Sequence, residues 1–234
     1  MTTIQYIFTF ALYLLGACIL TTSLVPPVLF FLKLWEVVHP ATIFSKSILL
    51  SMGVGFGYFM FGLTLVLQTV ILKTLFNLNL EEGEFSYFSS HSFKWAFVNS
   101  LVLIVNITFM DFMKLTPLLP LYYRMMGAKI GKRVQINTKH IADASLLEIG
   151  DDSIIGGDVV MIGHLAEHGK LVLKKTKIGK RVTVGLGSVV MPGTVIGDGA
   201  LIAAKSLLLK YTQVPERSLF AGTPAKYIHP LTAP

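Results

Sequence analysis

The segment from residue 163 to residue 170 concentrates side chains that can move a proton. It reads Gly-His-Leu-Ala-Glu-His-Gly-Lys and contains His164, Glu167 and His168. A neutral imidazole titrates near physiological pH, so it is suited to accept a proton from a reacting group. We predict His164 as the base and Glu167 as the residue that orients its ring or the reactant, with His168 as the second candidate base. The alternative is that these are solvated polar residues of a loop.

The residues around this segment follow a period of six, which predicts the scaffold that holds it. A helix favours a period of 3.6 and a half-buried strand a period of 2, and neither fits. A three-sided parallel β coil does fit, because each hexapeptide then forms one short strand and one corner. Aliphatic residues recur six apart without a miss at Ile178, Val184, Val190, Ile196, Ile202 and Leu208, and the frame extends back through Met161, Ile155, Ile149, Ile136 and Ile130.

The six-residue frame breaks at the histidine segment itself. The step from Met161 to Ile178 falls one position short of three full hexapeptides, and the segment from 163 to 170 lacks inward aliphatic side chains in register. We interpret this stretch as a loop pushed out of the coil. Loops on a rigid scaffold often carry functional residues.

Residues 1–122 have a different character and predict a transmembrane domain. The chain is 53% hydrophobic and 14% charged, and its whole net charge of +7 lies in residues 95–234. Met1–Leu32 and Ser47–Leu72 contain no charged residue, and both exceed the roughly 18 residues that indicate a spanning helix. With Trp95–Met110 as a third, shorter run, we expect about three spans, followed by a β domain over residues 123–234.

The distribution of basic flanks predicts the orientation in the membrane. Lys114, Arg124 and Lys129 follow the third apolar run, so we place the C-terminal half in the cytoplasm and the Leu75–Phe93 loop on the opposite side. We expect an integral protein of a bacterial inner membrane. The basic half is explained by anionic lipids, and no nucleic-acid motif is present. Cys18 is the only cysteine, which excludes an intrachain disulfide and a cysteine-cluster metal site.

The repeats resemble the hexapeptide-repeat acyltransferases, which are left-handed parallel β-helices. The resemblance covers residues 127–228 and rests on the repeated aliphatic-glycine pairs, on the run from Val189 to Gly197, and on the ending Ala221-Gly222-Thr223-Pro224-Ala225-Lys226. The apolar half, followed by residues 116–122 and 126–131, is similar to the membrane-anchored branch found at the C-terminus of some nonribosomal peptide synthetases.

This resemblance implies transfer of an acyl group from a thioester, acetyl-CoA or another acyl-CoA, to a hydroxyl or amine. His164 takes the position of the family's loop histidine, which is the base, and the resemblance implies a homotrimer with active sites between subunits and no metal. It also implies that small corner residues and two lysines hold the coenzyme, namely Gly185, Ser188, Ala203, Ala204, Lys205 and Lys226. A solvated basic face explains any single lysine equally well.

Two other functions remain open. The same fold hosts zinc carbonic anhydrases, for which His140, His164 and His168 would supply three nitrogen ligands, but His164 and His168 are four apart where that family's pair is five apart. A membrane-tethered scaffold without catalysis is the third. For the acyltransferase we expect a membrane-associated or amphiphilic acceptor that the membrane half helps to bind, against a plain tether for an enzyme with a soluble substrate.

Overall fold

The computed structural model describes residues 3–231, and an α-helical half precedes a β-rich half within them. The helices are α1 Thr3–Val38, α2 Ile43–Leu75, α3 Ser90–Thr108, α4 Met110–Met113 and α5 Leu118–Met125. The strands are β1 Gly83–Ser86, β2 Lys129–Ile130, β3 Gln135–Ile136, β4 Leu147–Ile149, β5 Ile154–Ile155, β6 Val160–Met161, β7 His164–Glu167, β8 Lys170–Leu173, β9 Thr176–Ile178, β10 Thr183–Val184, β11 Val189–Val190, β12 Val195–Ile196, β13 Leu201–Ile202, β14 Leu207–Leu208, β15 Gln213–Val214, β16 Ser218–Gly222 and β17 Ala225–Pro230.

Helices α1 and α2 form an antiparallel hairpin with an apolar surface. Among the described residues these two helices, over residues 6–38 and 43–75, are long and apolar enough to cross a membrane. The Ser23 hydroxyl of α1 donates to Oε1 of Gln68 in α2 at 2.9 Å, a polar contact of the kind that joins membrane helices. Gly62 of α2 permits close packing of α2 against Phe109, which follows α3, because a Cβ on Gly62 would overlap the Phe109 ring.

The connection between α2 and α3 lies on the same side of the molecule as the coil. Strand β1 pairs antiparallel with β8, so that Glu84 is opposite Val172, and Glu82 accepts a hydrogen bond from the backbone N–H of Lys175 at 3.0 Å. The expectation that the Leu75–Phe93 loop faces away from the C-terminal half is therefore wrong. The short β1 strand, which the apolar pattern did not reveal, ties this loop to the coil.

Helix α3 runs along the coil and does not extend away from it. Near the end of α3, the Nδ2 of Asn106 donates to the carbonyl of Lys139 at 2.9 Å. Near the start of α3, Trp95 contacts Asp143. The 19 residues of α3 thus lie between the hairpin and the β domain. The run Trp95–Met110 is largely helical as expected, its contacts place it beside the coil, and it is not among the described helices that are long and apolar enough to cross a membrane.

The β-rich half is a coil with three parallel faces, as the six-residue period predicts. The three sheets have the strand orders β17-β16-β13-β10-β5-β3, β14-β11-β6 and β15-β12-β9-β4-β2, and only β16–β17 pairs antiparallel in them. In the C-terminal turns each strand pairs with the strand three hexapeptides further along the chain, as Val184 does with Ile202. The aliphatic positions fill the core, and Val184, Val190, Ile202 and Leu208 are fully buried.

The predicted loop is a β-hairpin inserted into the coil. Met161 pairs with Val190, whereas a regular turn of three hexapeptides would bring it opposite position 179. The inserted hairpin of β7 and β8 accounts for this difference, and its turn is at His168 and Gly169, which both have positive φ. The step from Met161 to Ile178 is therefore a single hexapeptide that contains an inserted hairpin, and the prediction that this stretch is pushed out of the coil is confirmed.

Candidate active site

The centre of the candidate site is a pair formed by His164 and Asp143. His164 begins β7, where the inserted hairpin leaves the coil, and Asp143 precedes a single 3-10 turn, Ala144–Leu146. The Nδ1 of His164 lies 2.6 Å from Oδ2 of Asp143. The Asp143 side chain is fully buried, whereas the imidazole is 27% exposed. A buried acid therefore contacts a ring that solvent and reactants can still reach.

The Asp143 carboxyl group is surrounded by hydrogen-bond donors from two segments, α3 and the start of the inserted hairpin. Its Oδ1 accepts from Trp95 Nε1 at 2.9 Å and from Asn99 Nδ2 at 2.8 Å, and its Oδ2 accepts from the backbone N–H of Gly163 at 2.9 Å. Burial of a carboxylate is tolerated when its oxygens are saturated in this way. A carboxylate only accepts hydrogen bonds, so the proton of His164 lies on Nδ1 and Nε2 is the basic nitrogen.

Helix α3 supplies two of these donors because of its helical spacing. Trp95 and Asn99 are four residues apart and lie on one face of the helix. The Asn99 amide also fixes the backbone of Asp143, because its Oδ1 accepts from the Asp143 N–H at 3.3 Å. Asp143 has a φ of 56°, in the left-handed region that aspartate tolerates better than most residues. The helical half of the chain thus builds part of the site in the β-rich half.

The imidazole lines a cavity of about 520 Å³ between α3 and the coil. The Trp95 ring meets the His164 ring edge-on, with 4.8 Å between ring centroids. Polar groups in the wall come from both halves, and most of the remaining wall is apolar. Its lining residues include Ala96, Asn99, Ser100, Val102, Leu103, Asn106, Lys139, His140, Ile141, Val160 and Ile162.

The charged residue at the cavity rim is held by an ion-pair network. Lys139 lies 2.6 Å from Oδ2 of Asp111, and Lys114 lies 2.9 Å from its Oδ1. Hydrogen bonds from Lys139 and then Lys114 lower the pKa of Asp111 below its ordinary value. Asp111 therefore joins α4 to the start of the coil and restrains Lys139 beside the cavity.

The two other predicted residues of the hairpin lie apart from the His164 ring. Glu167 forms an ion pair with Lys210 at 2.7 Å. Since alternate residues of a strand point to opposite faces, Glu167 and His164 are on different faces of β7. His168 is exposed at the turn of the hairpin. The acid that contacts the base is therefore Asp143, which the sequence analysis did not select.

The three histidines proposed for zinc are not assembled in one copy of the chain. The Nε2 of His140 lies 4.0 Å from Asp158, His164 is bonded to Asp143, and His168 is at the hairpin turn. Over residues 3–231, no group of three or more histidine, cysteine or acidic residues has the arrangement of a metal site. The geometry of this site therefore gives the zinc hypothesis no support.

The residues predicted to hold the coenzyme lie at one stack of corners of the coil. A Cβ on Gly185 would overlap the backbone of Ala203 and Ala204, so consecutive turns are in close contact there. Ser188 is fully buried, and its hydroxyl donates to the Ala203 carbonyl at 3.0 Å, so it supports the corner from inside. Lys205 is exposed, and its carbonyl accepts from the Thr223 hydroxyl at 3.2 Å.

The remaining predicted lysine belongs to the same end of the coil. Lys226 is exposed on β17 and pairs in register with Ala221 of β16. Strand β16 in turn pairs with β13, which directly precedes Ala203. The structure thus brings five of the six predicted coenzyme residues to one end of one face, with Ser188 beneath them.

Comparisons with known proteins place the coil among solved folds. No protein-family model matches the chain. A maltose O-acetyltransferase from Clostridium difficile 630 superposes with a TM-score of 0.52 at 18% identity, covering 66% of this chain and 95% of that protein. This likeness shows that the two proteins share a fold. A hexapeptide-repeat acetyltransferase from Vibrio cholerae, solved with acetyl coenzyme A, matches at 25% identity with a TM-score of 0.42, over 46% of this chain and 62% of the other.

A curated relative is much longer than this chain. The delta-poly-L-ornithine synthetase of Acinetobacter baumannii (strain AB307-0294) is 32% identical over 160 residues, which cover 68% of this chain and 12% of the relative. The chain therefore spans about an eighth of the length of that synthetase.

The contacts of α3 with Asp143 were not predictable from the hexapeptide repeat. The available signal was the pair Trp95 and Asn99, which are four residues apart and therefore share one face of α3.

Proposed function

We propose that this chain is an integral membrane acyltransferase with His164 as its general base. It transfers an acyl group from acetyl-CoA or another acyl-CoA to a hydroxyl or amine of a membrane-associated or amphiphilic acceptor. One observation carries the proposal: a saturated, buried carboxylate at 2.6 Å fixes the imidazole at a cavity within an acetyltransferase fold. Holding a histidine in a single tautomer in this way is typical of a catalytic base.

The reaction balances with the two substrates alone. The acceptor nitrogen or oxygen attacks the thioester carbonyl carbon and its proton passes to Nε2 of His164. The carbon–sulfur bond then breaks, and the leaving thiolate takes the proton from the imidazolium. The products are the acylated acceptor and the free thiol. Asp143 stabilises the imidazolium between these two steps because its negative charge is held next to Nδ1.

The donor is proposed to lie along the corner formed by Gly185, Ala203 and Ala204. Small residues there leave the backbone accessible to the pantetheine arm, and Lys205 with Lys226 supply positive charge for the phosphates. The buried contacts of Ser188 support a structural role at this corner. We also propose a homotrimer, in which a second copy completes the donor groove.

The membrane part of the proposal rests on the α1–α2 hairpin. If both helices cross the bilayer, Thr3 and Leu75 lie on the side of the coil and the connection around Glu36 lies on the other side. Basic residues are more numerous on the coil side, so the positive-inside rule places the coil in the cytoplasm. The similarity to the Acinetobacter relative, a poly-L-ornithine synthetase, supports an amine as the acceptor group.

The test is a comparison of strains that differ only at the site. We expect His164→Ala to lower turnover by about two to four orders of magnitude, the usual effect of losing a general base. Lipid and metabolite profiles of the His164→Ala strain should then match those of a deletion strain and lack the same acylated product. His168→Ala is the matched control because that ring is exposed at the hairpin turn. A normal profile from the His164→Ala strain beside an altered one from the deletion would refute the proposal.

A further inference from the structure

A second cavity adjoins the first along the same helix. It has a volume of about 260 Å³ and lies between the start of α1, the start of α3 and the inserted hairpin. Trp95 and Ala96 line both cavities. The mechanism proposed above uses only the cavity at His164, so the second cavity has no assigned role.

The two cavities share the walls formed by Trp95 and Ala96, and together they make up a groove along one face of α3. Ser92 lines the second cavity, Ala96 lines both, and Ser100 lines the first. Residues four apart share a helix face, and these three are small. This row of small residues borders both cavities, and Trp95 lies between them with its ring against His164.

The two ends of the groove differ in polarity. The far end is closed by Phe8 and Leu12 of α1, with Phe93 and Leu171 beside them; the rings of Phe8 and Phe93 are 4.6 Å apart. The near end has the polar groups of Asn99, Lys139 and His164. An extended ligand that fits this groove has an apolar tail and a polar head.

The far end adjoins the apolar surface of α1. Phe10 is 64% exposed and Tyr13 is 75% exposed on this helix, which is long and apolar enough to cross a membrane. The second cavity is thus lined by a helix whose other side chains are suited to contact lipid, as expected for the site of a molecule that partitions into the bilayer.

We propose that this groove binds a single-chain amphiphile, with its alkyl chain in the second cavity and its amine or hydroxyl group at His164. The inference rests on the proposed function for the reactivity of the head group, but chain binding is independent of His164. It assigns to α1 and α3 a part in substrate selection beyond anchoring.

Trp95 provides a direct readout of binding. The chain has two tryptophans, Trp35 and Trp95, so Trp35→Phe leaves the groove residue as the only one. The full-length variant in phosphatidylcholine nanodiscs is titrated with a chain-brominated alkylamine, whose bromine quenches indole fluorescence. We expect saturable quenching that is reversed by the unbrominated alkylamine of equal length. Quenching without saturation or competition would reflect the bulk bilayer and would overturn the proposal.

Substitutions locate the chain within the groove. Thr9→Phe fills the second cavity from α1, and we expect it to raise the Kd at least tenfold. Leu14→Phe adds a ring at an exposed position of the same helix and should leave the Kd unchanged. In a series of alkylamines the Kd should fall about fourfold per added methylene until the cavity is full, the effect of burying one CH₂.

The same variants separate failure of this inference from failure of the proposed function. If His164→Ala abolishes transfer but alkylamines show no saturable binding, only the groove assignment is wrong. If alkylamines bind and His164→Ala keeps full transfer activity, the assigned base is wrong while the groove assignment holds. If Thr9→Phe changes the oligomeric mass and leaves the Kd for alkylamines unchanged, a second copy of the chain occupies the groove and the proposal is overturned.

Discussion

The α1–α2 hairpin and α3 are both apolar helical segments, yet they contact their surroundings in different ways. The hairpin helices leave many large apolar side chains exposed, including Phe10, Leu14 and Leu67. Helix α3 instead directs Trp95 and Asn99 to a buried carboxylate in the coil. Hydropathy separates the two cases, because among the described residues only α1 and α2 are long and apolar enough to cross a membrane. The spacing of the polar residues in α3 adds which face contacts the coil, because polar side chains in an apolar setting require polar partners.

The sharpest way to break this comparison is to measure which side of the membrane each connection occupies. In a Cys18→Ser background, single cysteines are placed at Glu36, at Glu81 and at Lys226, and a membrane-impermeant maleimide is applied to oriented vesicles. We expect Glu81→Cys and Lys226→Cys to react from the same side and Glu36→Cys from the other, because β1 pairs with the inserted hairpin. Reaction of Glu36→Cys and Lys226→Cys from one side, with Glu81→Cys reacting from the other, would restore a third span.

The next largest effect is expected where α3 and the coil meet. Asp143→Asn places an amide nitrogen among N–H donors, so it removes the charge that orients His164 and leaves one buried donor unpaired. We expect kcat to fall by about two to four orders of magnitude, with a loss of roughly 1–3 kcal/mol in the free energy of unfolding.

Asp158→Asn is the matched control for that substitution. It removes the same charge near a different histidine, and the Asp158 side chain is 75% exposed. Its kcat and thermal midpoint should equal those of the unmodified protein. Equal losses of kcat in the two variants would show that general charge, and not the orientation of His164, governs the rate.

The parts of the fold and of the candidate site that were predictable are those that follow from a repeated spacing in the sequence. The coil follows from aliphatic residues at a fixed spacing, and His164 follows from the break in that spacing. Asp143 was not predictable in the same way, because it is joined to His164 by a fold in which residues 21 apart in sequence become neighbours. The position of α3 depends on single hydrogen bonds to Asp143 and Lys139, and contacts between distant segments leave no repeat in the sequence. The chosen partner Glu167 is near His164 in sequence but on the opposite strand face.

A smaller effect is expected on the free energy of unfolding when one polar contact is removed from each of the two helical regions. Asn99→Ala removes a donor from the buried Asp143 carboxylate, at an expected cost of about 1–3 kcal/mol. Gln68→Ala removes the acceptor of the Ser23 hydroxyl between α1 and α2, where such contacts contribute about 0.6 kcal/mol. Thermal unfolding of the full-length variants in one detergent gives both values. A larger loss from Gln68→Ala would mean that the hairpin, and not the α3–coil contact, depends on its polar residues.

The smallest expected effect concerns the acid sensitivity of the α2–α3 connection. The backbone N–H of Lys175 donates to the carboxylate of Glu82, and this hydrogen bond is the main reason that the pKa of Glu82 is below its ordinary value. A carboxyl group whose pKa is lower in the folded state stabilises that state above its unfolded pKa of about 4.3, and the stabilisation is lost as the pH falls through the folded value. The side chain is 42% exposed, so we expect this stabilisation to be less than about 1 kcal/mol.

Hydrogen exchange at the β1–β8 amides should show protection that declines on acidification below pH 4 in the unmodified protein. In Glu82→Gln this decline should be weaker, because the titrating group is gone, while Glu81→Gln removes the same charge one residue away and should retain it. An identical decline in all three proteins would show that the β1–β8 contact does not depend on the ionised Glu82.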